Sequence, residues 1–96
     1  MNQEFTKTDK IIVSSKGFTV EVKIAGGILY RDSTGEFEMD SEWLVKPAGI
    51  ILYKGSRGNK GFEKIEQSRA DAIFSDVARA LEFMGYKAQI WSSPSG

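Results

Sequence analysis

SRADAIFSDVARALEFMG, residues 68–85, is the only stretch of this sequence that predicts a long helix. Its apolar side chains recur at helical spacing and gather on one face, whereas its charged side chains fall mainly on the other. About sixteen residues at 1.5 Å each give a rod of roughly 24 Å, enough to cover one face of a small sheet. The apolar face consists of Ala70, Ile73, Phe74, Val77, Leu81 and Met84. The polar face consists of Arg69, Ser75, Asp76, Arg79 and Glu82.

Both ends of this helix carry stop signals. Ser68, followed by Asp71 three residues later, fits a capping box, in which the two side chains satisfy backbone donors at the helix start. Gly85 follows the last apolar residue and lacks a Cβ, so it predicts a left-handed residue that ends the helix.

The composition limits the classes of function. Ninety-six residues suffice for a single domain, 1–96, in which we expect residues 1–9 and 92–96 to be loose tails. Thirteen basic residues balance thirteen acidic ones, which argues against a generic nucleic-acid or membrane-surface binder. The chain has no cysteine and no histidine, so it lacks thiolate chemistry and the usual general base and zinc ligand. We therefore expect no enzyme, metal or cofactor.

The amino-terminal residues and the apolar runs bear on location. No apolar run approaches the ~18 residues of a membrane span. The first ten residues, MNQEFTKTDK, are polar and carry two acids, unlike a secretory signal. The expected location is cytoplasmic, with no membrane partner.

Apart from the helix, the pattern is one of short strands and turns. Alternating or β-branched apolar residues predict an antiparallel hairpin, a short third strand, an acidic strand, a central apolar strand and a final strand after the helix. These segments are 10–14, 18–24, 28–30, 36–40, 49–54 and 86–91. Residues 41–47 have no clear period. The order β-β-(β)-β-β-α-β predicts an α+β fold, a mostly antiparallel sheet of five to six strands with one long helix on one face.

Five acids stand within eleven residues around the fourth predicted strand. One interpretation is a solvated outer face that discourages edge-to-edge aggregation. The functional interpretation is a negative patch for a basic protein partner, since complementary charge speeds encounter and fixes orientation. Use of two carboxylates as acid and base, or as magnesium ligands, has no further support in the sequence. The acids are Asp32, Glu36, Glu38, Asp40 and Glu42.

A glycine-rich basic loop, GSRGNKG at 55–61, joins the central strand to the helix region. Lys54, Arg57 and Lys60 make it a candidate anion site, because glycines let backbone amides approach an anion. The spacing matches neither a P-loop nor a dinucleotide fingerprint. An open, mobile and solvated connection is the alternative interpretation.

Two tryptophans, Trp43 and Trp91, cannot be assigned to a face of the sheet from the pattern. Aromatic side chains in strands are more often core than stacking platforms for single-stranded nucleic acid. Either tryptophan becomes a candidate interface anchor if it is exposed, since tryptophan is favoured at binding hot spots.

Three segments together resemble the immunity protein 74 family, small α+β proteins encoded beside toxins of bacterial polymorphic toxin systems. They are GFTVEV at 17–22, FEMDSEWL at 37–44 and GIILYK at 49–54, and the resemblance covers roughly residues 10–91. It differs at 61–64, where GFEK stands in place of a Trp followed by Pro. The resemblance implies no catalytic residues.

The resemblance implies a non-enzymatic protein that binds a cognate toxin domain and neutralises it. The expected contacts are the five acids, with Trp43 as anchor. A small regulatory or self-associating module, which would form a homodimer, is the first alternative. The second is a nucleic-acid-binding module that uses the basic loop 54–64, which predicts oligonucleotide binding that falls steeply with salt.

Overall fold

Two small sheets share one helix in this protein, as a computed structural model shows for residues 5–8, 10–23, 27–45 and 48–92. The first sheet is an antiparallel meander of five strands in chain order. Its strands are β1 (Phe5–Thr8), β2 (Ile11–Ser14), β3 (Thr19–Lys23), β4 (Gly27–Asp32) and β5 (Gly35–Met39).

The second sheet has three strands, in the order β6-β7-β8. They are β6 (Ser41–Val45), β7 (Ala48–Lys54) and β8 (Lys87–Ser92), and a 3-10 helix (Phe62–Lys64) and helix α1 (Gln67–Phe83) lie between β7 and β8. β6 pairs antiparallel with β7, whereas β8 pairs parallel to it, since the helix carries the chain back. The central place predicted for 49–54 is confirmed.

Asp40 marks the point where the chain passes from one sheet to the other. Before it, β5 pairs with β4; after it, β6 pairs with β7. The amide of Tyr53 donates to the carbonyl of Asp40 at 3.1 Å, so the junction is itself bonded to β7. The predicted α+β class, mostly sheet with one helix, is confirmed, although the strands divide between two sheets.

Two strands were not predicted. Residues 5–8, expected within a loose leader, form β1 in register with β2. Residues 41–45, which lack a clear period, form β6, because β7 offers a partner edge. Residues 1–4, 9 and 93–96 of the expected tails, and Ile24 and Pro47, lie outside the described residues. Ser92, expected in the second tail, is the last residue of β8.

One apolar core joins both sheets to the helix. Ile12 and Tyr30 from the first sheet, Ile50 from the second, and Ile73 and Leu81 from α1 are all at most 2% exposed. The predicted apolar face of α1 is confirmed at its centre. The helix also buries Ala80, which the pattern did not assign.

The helix start differs from the sequence prediction. Glu66 is the N-cap residue and no side chain caps the first turn, so the predicted capping box is wrong. Asp71 instead accepts a hydrogen bond from Gln67 and pairs with Lys54 at 2.5 Å, which leaves its carboxylate engaged away from the Ser68 backbone.

The helix end follows the prediction. Gly85 has φ +100°, its amide donates to the carbonyl of Glu82, and the amide of Tyr86 donates to that of Leu81. This is a Schellman motif. Within the described ranges, no helix is long and apolar enough to cross a membrane.

Candidate partner-binding surface and anion site

The acidic strand β5 carries two of the predicted contact residues on its outer face. Its alternation buries Phe37 and Met39 and turns Glu36 and Glu38 outward. Glu36 pairs with Arg31 on β4 at 2.9 Å, and both side chains are more than half exposed. A pair this exposed adds little to stability, so Glu36 can change partners at low cost.

Glu38 sits between two cations. Lys23 on β3 donates to it at 2.9 Å, and Lys60 lies 3.8 Å away. The hydrogen bond from Lys23 lowers the pKa of Glu38, against a smaller effect of burial. The outer face of the first sheet is therefore a mixed-charge surface, since neighbouring strands and the loop supply the bases that the local sequence lacks.

Asp32 lies inside a hydrogen-bonded cluster, which we call the Asp32 cluster: Tyr30, Asp32, Thr34 and Arg69. Its side chain is 10% exposed, and it accepts from the Tyr30 hydroxyl at 2.8 Å and from the Thr34 amide and hydroxyl at 2.7 and 2.6 Å. Arg69 of the helix donates to the same carboxylate. The acceptor sites of Asp32 are thus occupied within the chain, and its role in a partner surface stays a prediction.

The contacts within the Asp32 cluster shift the pKa values of Asp32 and Tyr30. Burial alone would raise the pKa of Asp32, but hydrogen bonds from Thr34, Tyr30 and Arg69 outweigh it and lower that pKa to about 2. Burial, followed by the hydrogen bond to Asp32, raises the pKa of Tyr30 to about 12. Both groups therefore keep one charge state throughout the physiological range.

Asp40 holds the basic loop onto the sheet. Ser56 donates to its carboxylate, and the backbone amide of Asp40 donates to Asn59 Oδ1 at 2.6 Å. Lys60 exchanges two backbone hydrogen bonds of 2.9 Å with Glu38. The loop is therefore docked on the edge of β5, which corrects the expectation of an open connection, and Asp40 serves that docking.

Glu42 and Trp43 lie on opposite faces of β6, because side chains alternate along a strand. Trp43 is 39% exposed on the helix side, where its ring meets that of Tyr86 edge-on at 5.0 Å. Glu42 lies on the outer side and accepts from the Tyr53 hydroxyl at 2.7 Å. The structure thus separates the predicted anchor from the acids it was grouped with.

The outer face of the second sheet carries Trp91, the other tryptophan that the sequence did not assign to a face. We call this the aromatic surface: Leu44, Ile51, Tyr53 and Trp91. Tyr53 and Trp91 are register partners on β7 and β8, and their rings meet edge-on at 6.4 Å. Trp91 is half exposed, and its indole N–H donates to Gln89 at 3.0 Å. The alternation of Trp91 with Ile90 was the signal that it faces away from the helix.

The three predicted anion-binding cations do not form one site. Lys54 and Arg57 line a cavity of about 360 Å³ between the loop and the start of α1. Lys60 instead lies beside Glu38, on the outer face of the first sheet. Across the described residues, no group of three or more His, Cys, Asp or Glu side chains could hold a metal ion.

Protein-family models, curated proteins and solved structures gave no match to this chain. The resemblance to the immunity protein 74 family stays a prediction.

A half-buried carboxylate on the helix, Asp76, gives a pH-dependent prediction. Burial raises the pKa of Asp76, while the charges of Lys16, Arg79 and Arg69 act in the opposite direction without cancelling it. An acid whose pKa is raised by folding destabilises the folded state once the pH exceeds the pKa that the same group has in the unfolded chain. Asp76→Asn should therefore raise the urea midpoint at pH 7 and change it little near pH 3.

Glu82→Gln on the same helix is the matched control, since Glu82 is an exposed carboxylate. At both pH values it should leave the free energy of unfolding within about 0.5 kcal/mol of that of the parent protein. Equal effects of Asp76→Asn at the two pH values would show that its charge is not the cause.

Proposed function

We propose that this protein binds a second protein, a cognate toxin domain, and neutralises it by covering a functional surface of that domain. The observation that carries the proposal is the aromatic surface, in which Trp91 is half exposed beside Tyr53. Tryptophan and tyrosine dominate binding hot spots because they bury a large area with few rotatable bonds. The resemblance to the immunity protein 74 family implies the same kind of partner.

The aromatic surface is ordered before any partner arrives. Tyr53 is held by its hydrogen bond to Glu42, and Trp91 by its hydrogen bond to Gln89. Ile51, in register between Glu42 and Gln89, is only 4% exposed and forms the floor. Side chains fixed in this way lose less conformational entropy on binding, which favours affinity.

Charge beside the aromatic surface supports a basic partner. Glu42 borders the aromatic side chains. On the mixed-charge outer face of the first sheet, Glu38 is paired with Lys23 and Lys60, and Glu36 makes only an exposed ion pair. A partner cation can replace Arg31 at the exposed Glu36 pair. On the groove of a nuclease toxin, these carboxylates would stand where phosphates bind, which speeds association and makes it salt-dependent.

Trp91→Ala should weaken binding to the toxin domain by about 30-fold or more, because a central hot-spot aromatic contributes about 2 kcal/mol or more. The toxin domain to use is the carboxy-terminal domain of a large secreted protein encoded next to this chain, and the affinity is measured by calorimetry. Val13→Ala is the control, since Val13 is 43% exposed but belongs to the first sheet.

Two outcomes would count against this proposal, one against the function and the other against the location of the interface. If the parent chain fails to bind that domain or to protect cells that express it, the immunity function is wrong. If the parent binds and Trp91→Ala binds equally well, the function stands and the interface lies elsewhere.

Self-association is the second candidate, and one observation favours it. Within the described residues, β1 pairs only with β2 and β8 only with β7, so each presents an unpaired strand edge. A dimer that is seen by light scattering and lost in Trp91→Ala would mean that the aromatic surface binds a second copy of this chain and not a different protein. Tight, salt-sensitive oligonucleotide binding would instead favour the nucleic-acid alternative.

A further inference from the structure

Three side chains from neighbouring strands meet on the outer face of the second sheet: Glu42 of β6, Tyr53 of β7 and Trp91 of β8. They share this face because Glu42 is the register partner of Ile51, and Tyr53 that of Trp91, and alternate residues of a strand lie on one face. Tyr53 connects the other two. Its hydroxyl donates to Glu42 at 2.7 Å, and its ring centroid lies 6.4 Å from that of Trp91.

The rings of Tyr53 and Trp91 stand at right angles. Their planes make an angle of 88°, so one ring points its edge at the other and the faces of both border a common corner. The face of an aromatic ring carries negative potential and attracts a cation within about 6 Å of the ring centroid. Because Trp91 is half exposed, a positive group of a partner can reach this corner.

The hydrogen-bond donors of both aromatic side chains are already used within the chain. The Tyr53 hydroxyl donates to Glu42, and the indole N–H of Trp91 donates to Gln89 at 3.0 Å. The hydrogen bond to Glu42, followed by burial, raises the pKa of Tyr53, so its hydroxyl keeps the proton. The two aromatic side chains therefore offer a partner their ring faces and a hydroxyl oxygen, which attract cations and accept hydrogen bonds.

Glu42 adds a negative charge that the fold does not neutralise. Its side chain is exposed, and among the described residues no ion pair includes it. Asp32, Glu36 and Glu38, by contrast, each pair with a cation. One oxygen of Glu42 accepts from Tyr53, and a carboxylate has a second oxygen with which to accept from a partner.

We propose that the corner between Tyr53 and Trp91 binds an organic cation, whose positive head group lies against the two rings and donates to Glu42. In the complex proposed above, this cation is a lysine or arginine side chain of the toxin domain, and that part of the inference rests on the proposed function. The corner itself exists without a toxin, because hydrogen bonds within the chain hold both rings. The rings and the carboxylate then act on the same positive charge.

An NMR titration of the ¹⁵N-labelled protein with three small molecules tests the site. Butylguanidinium and butylammonium chloride carry the head groups of arginine and lysine, whereas butylurea has the shape of butylguanidinium without its charge. Sodium chloride keeps the ionic strength constant. At least one of the two cations should shift the indole N–H signal of Trp91 and bind about fivefold more tightly than butylurea. A response to only one cation supports the proposal and identifies the head group.

The chain supplies two controls. The indole signal of Trp43, whose ring contacts Tyr86 on the opposite face of the sheet, should not move. Glu42→Gln removes the charge and keeps the shape, so it should weaken binding of the cation about threefold and leave butylurea unchanged. Glu36→Gln, which changes an exposed carboxylate of the first sheet, should leave both unchanged. Equal affinity for butylurea and both cations, equal losses in the two variants, or equal shifts of both indole signals would each overturn the proposal.

Failure of this site and failure of the proposed function give different results. If a cation binds at Trp91 but the toxin domain does not bind the parent chain, the site stands and the function is wrong. If the toxin domain binds but neither cation binds more tightly than butylurea, the function stands and the site is wrong.

Discussion

Asp32→Ala should lower the free energy of unfolding by about 3 kcal/mol at pH 7, because it breaks a buried network of charge-assisted hydrogen bonds. The lost carboxylate leaves the Tyr30 hydroxyl, on a residue 2% exposed, without its acceptor. It also leaves Arg69 on the helix without its counter-charge. A hydroxyl left without an acceptor on a buried residue such as Tyr30 costs more than the lost bond itself contributed.

Urea denaturation followed by circular dichroism measures the effect. Glu36→Ala is the matched control, since Glu36 also pairs with an arginine, Arg31, but is 57% exposed. Its removal should cost less than about 1 kcal/mol. Similar losses in the two variants would mean that the Asp32 cluster contributes no more than a surface pair.

The free energy of unfolding measured at acid pH gives an independent check. The variant to use is Asp32→Asn, which keeps the shape of the side chain and removes its charge. Hydrogen bonds lower the pKa of Asp32 from 3.8 to about 2 despite burial. Its stabilisation is therefore complete above about pH 4 and is lost as the pH falls toward 2. The difference in the free energy of unfolding between the parent protein and Asp32→Asn should narrow by roughly 2 kcal/mol as the pH falls from about 4 to about 2. A difference in the free energy of unfolding that stays constant with pH would mean that the charge of Asp32 does not stabilise the fold.

The elements that the sequence predicts best are those whose signal is local. The buried centre of α1 follows from the spacing of Ile73, Val77 and Leu81, and its end follows from Gly85. The alternation in β5 likewise assigns Phe37 to the core and Glu36 to the surface. Each of these depends on neighbours within about one helical turn or one strand.

The surroundings of the acids were not predictable, because their partners are distant in sequence. Arg69, which pairs with Asp32, lies 37 residues away, and Lys23, which pairs with Glu38, lies 15 away. An acidic run therefore predicts an acidic surface only until pairing of the strands brings cations beside it. Local composition does not contain that information.

Edge strands and exposed aromatics depend on tertiary context in the same way. Residues 5–8 contain one apolar residue, and they form a strand because β2 offers a free edge. The alternation along β8 assigns Trp91 to the correct face, yet the surface that it forms depends on Tyr53, its register partner on β7. The sequence indicates such residues as candidates, and the strand register decides which of them form a surface.

Gly61→Ala should destabilise the protein by about 3 kcal/mol or more, because strain and steric overlap act together there. Gly61 has φ +94°, where a side chain is disfavoured. A Cβ at Gly61 would lie 2.5 Å from the carbonyl oxygen of Glu36 and 3.0 Å from the ring of Phe37. Relief of that overlap requires the loop to move off the edge of β5.

Gly55→Ala in the same loop separates the two causes. Gly55 also has a positive φ, +74°, but a Cβ there would meet nothing within 4 Å. It should cost only the strain, about 1 to 2 kcal/mol, and leave the loop docked. Amide hydrogen exchange makes the distinction local. Gly61→Ala should release the amides of Lys60 and Glu38, each of which donates to the other residue's carbonyl at 2.9 Å, and Gly55→Ala should not. Equal costs with equal protection would mean that the side-chain bonds of Ser56 and Asn59 hold the loop and that its contact with β5 is dispensable.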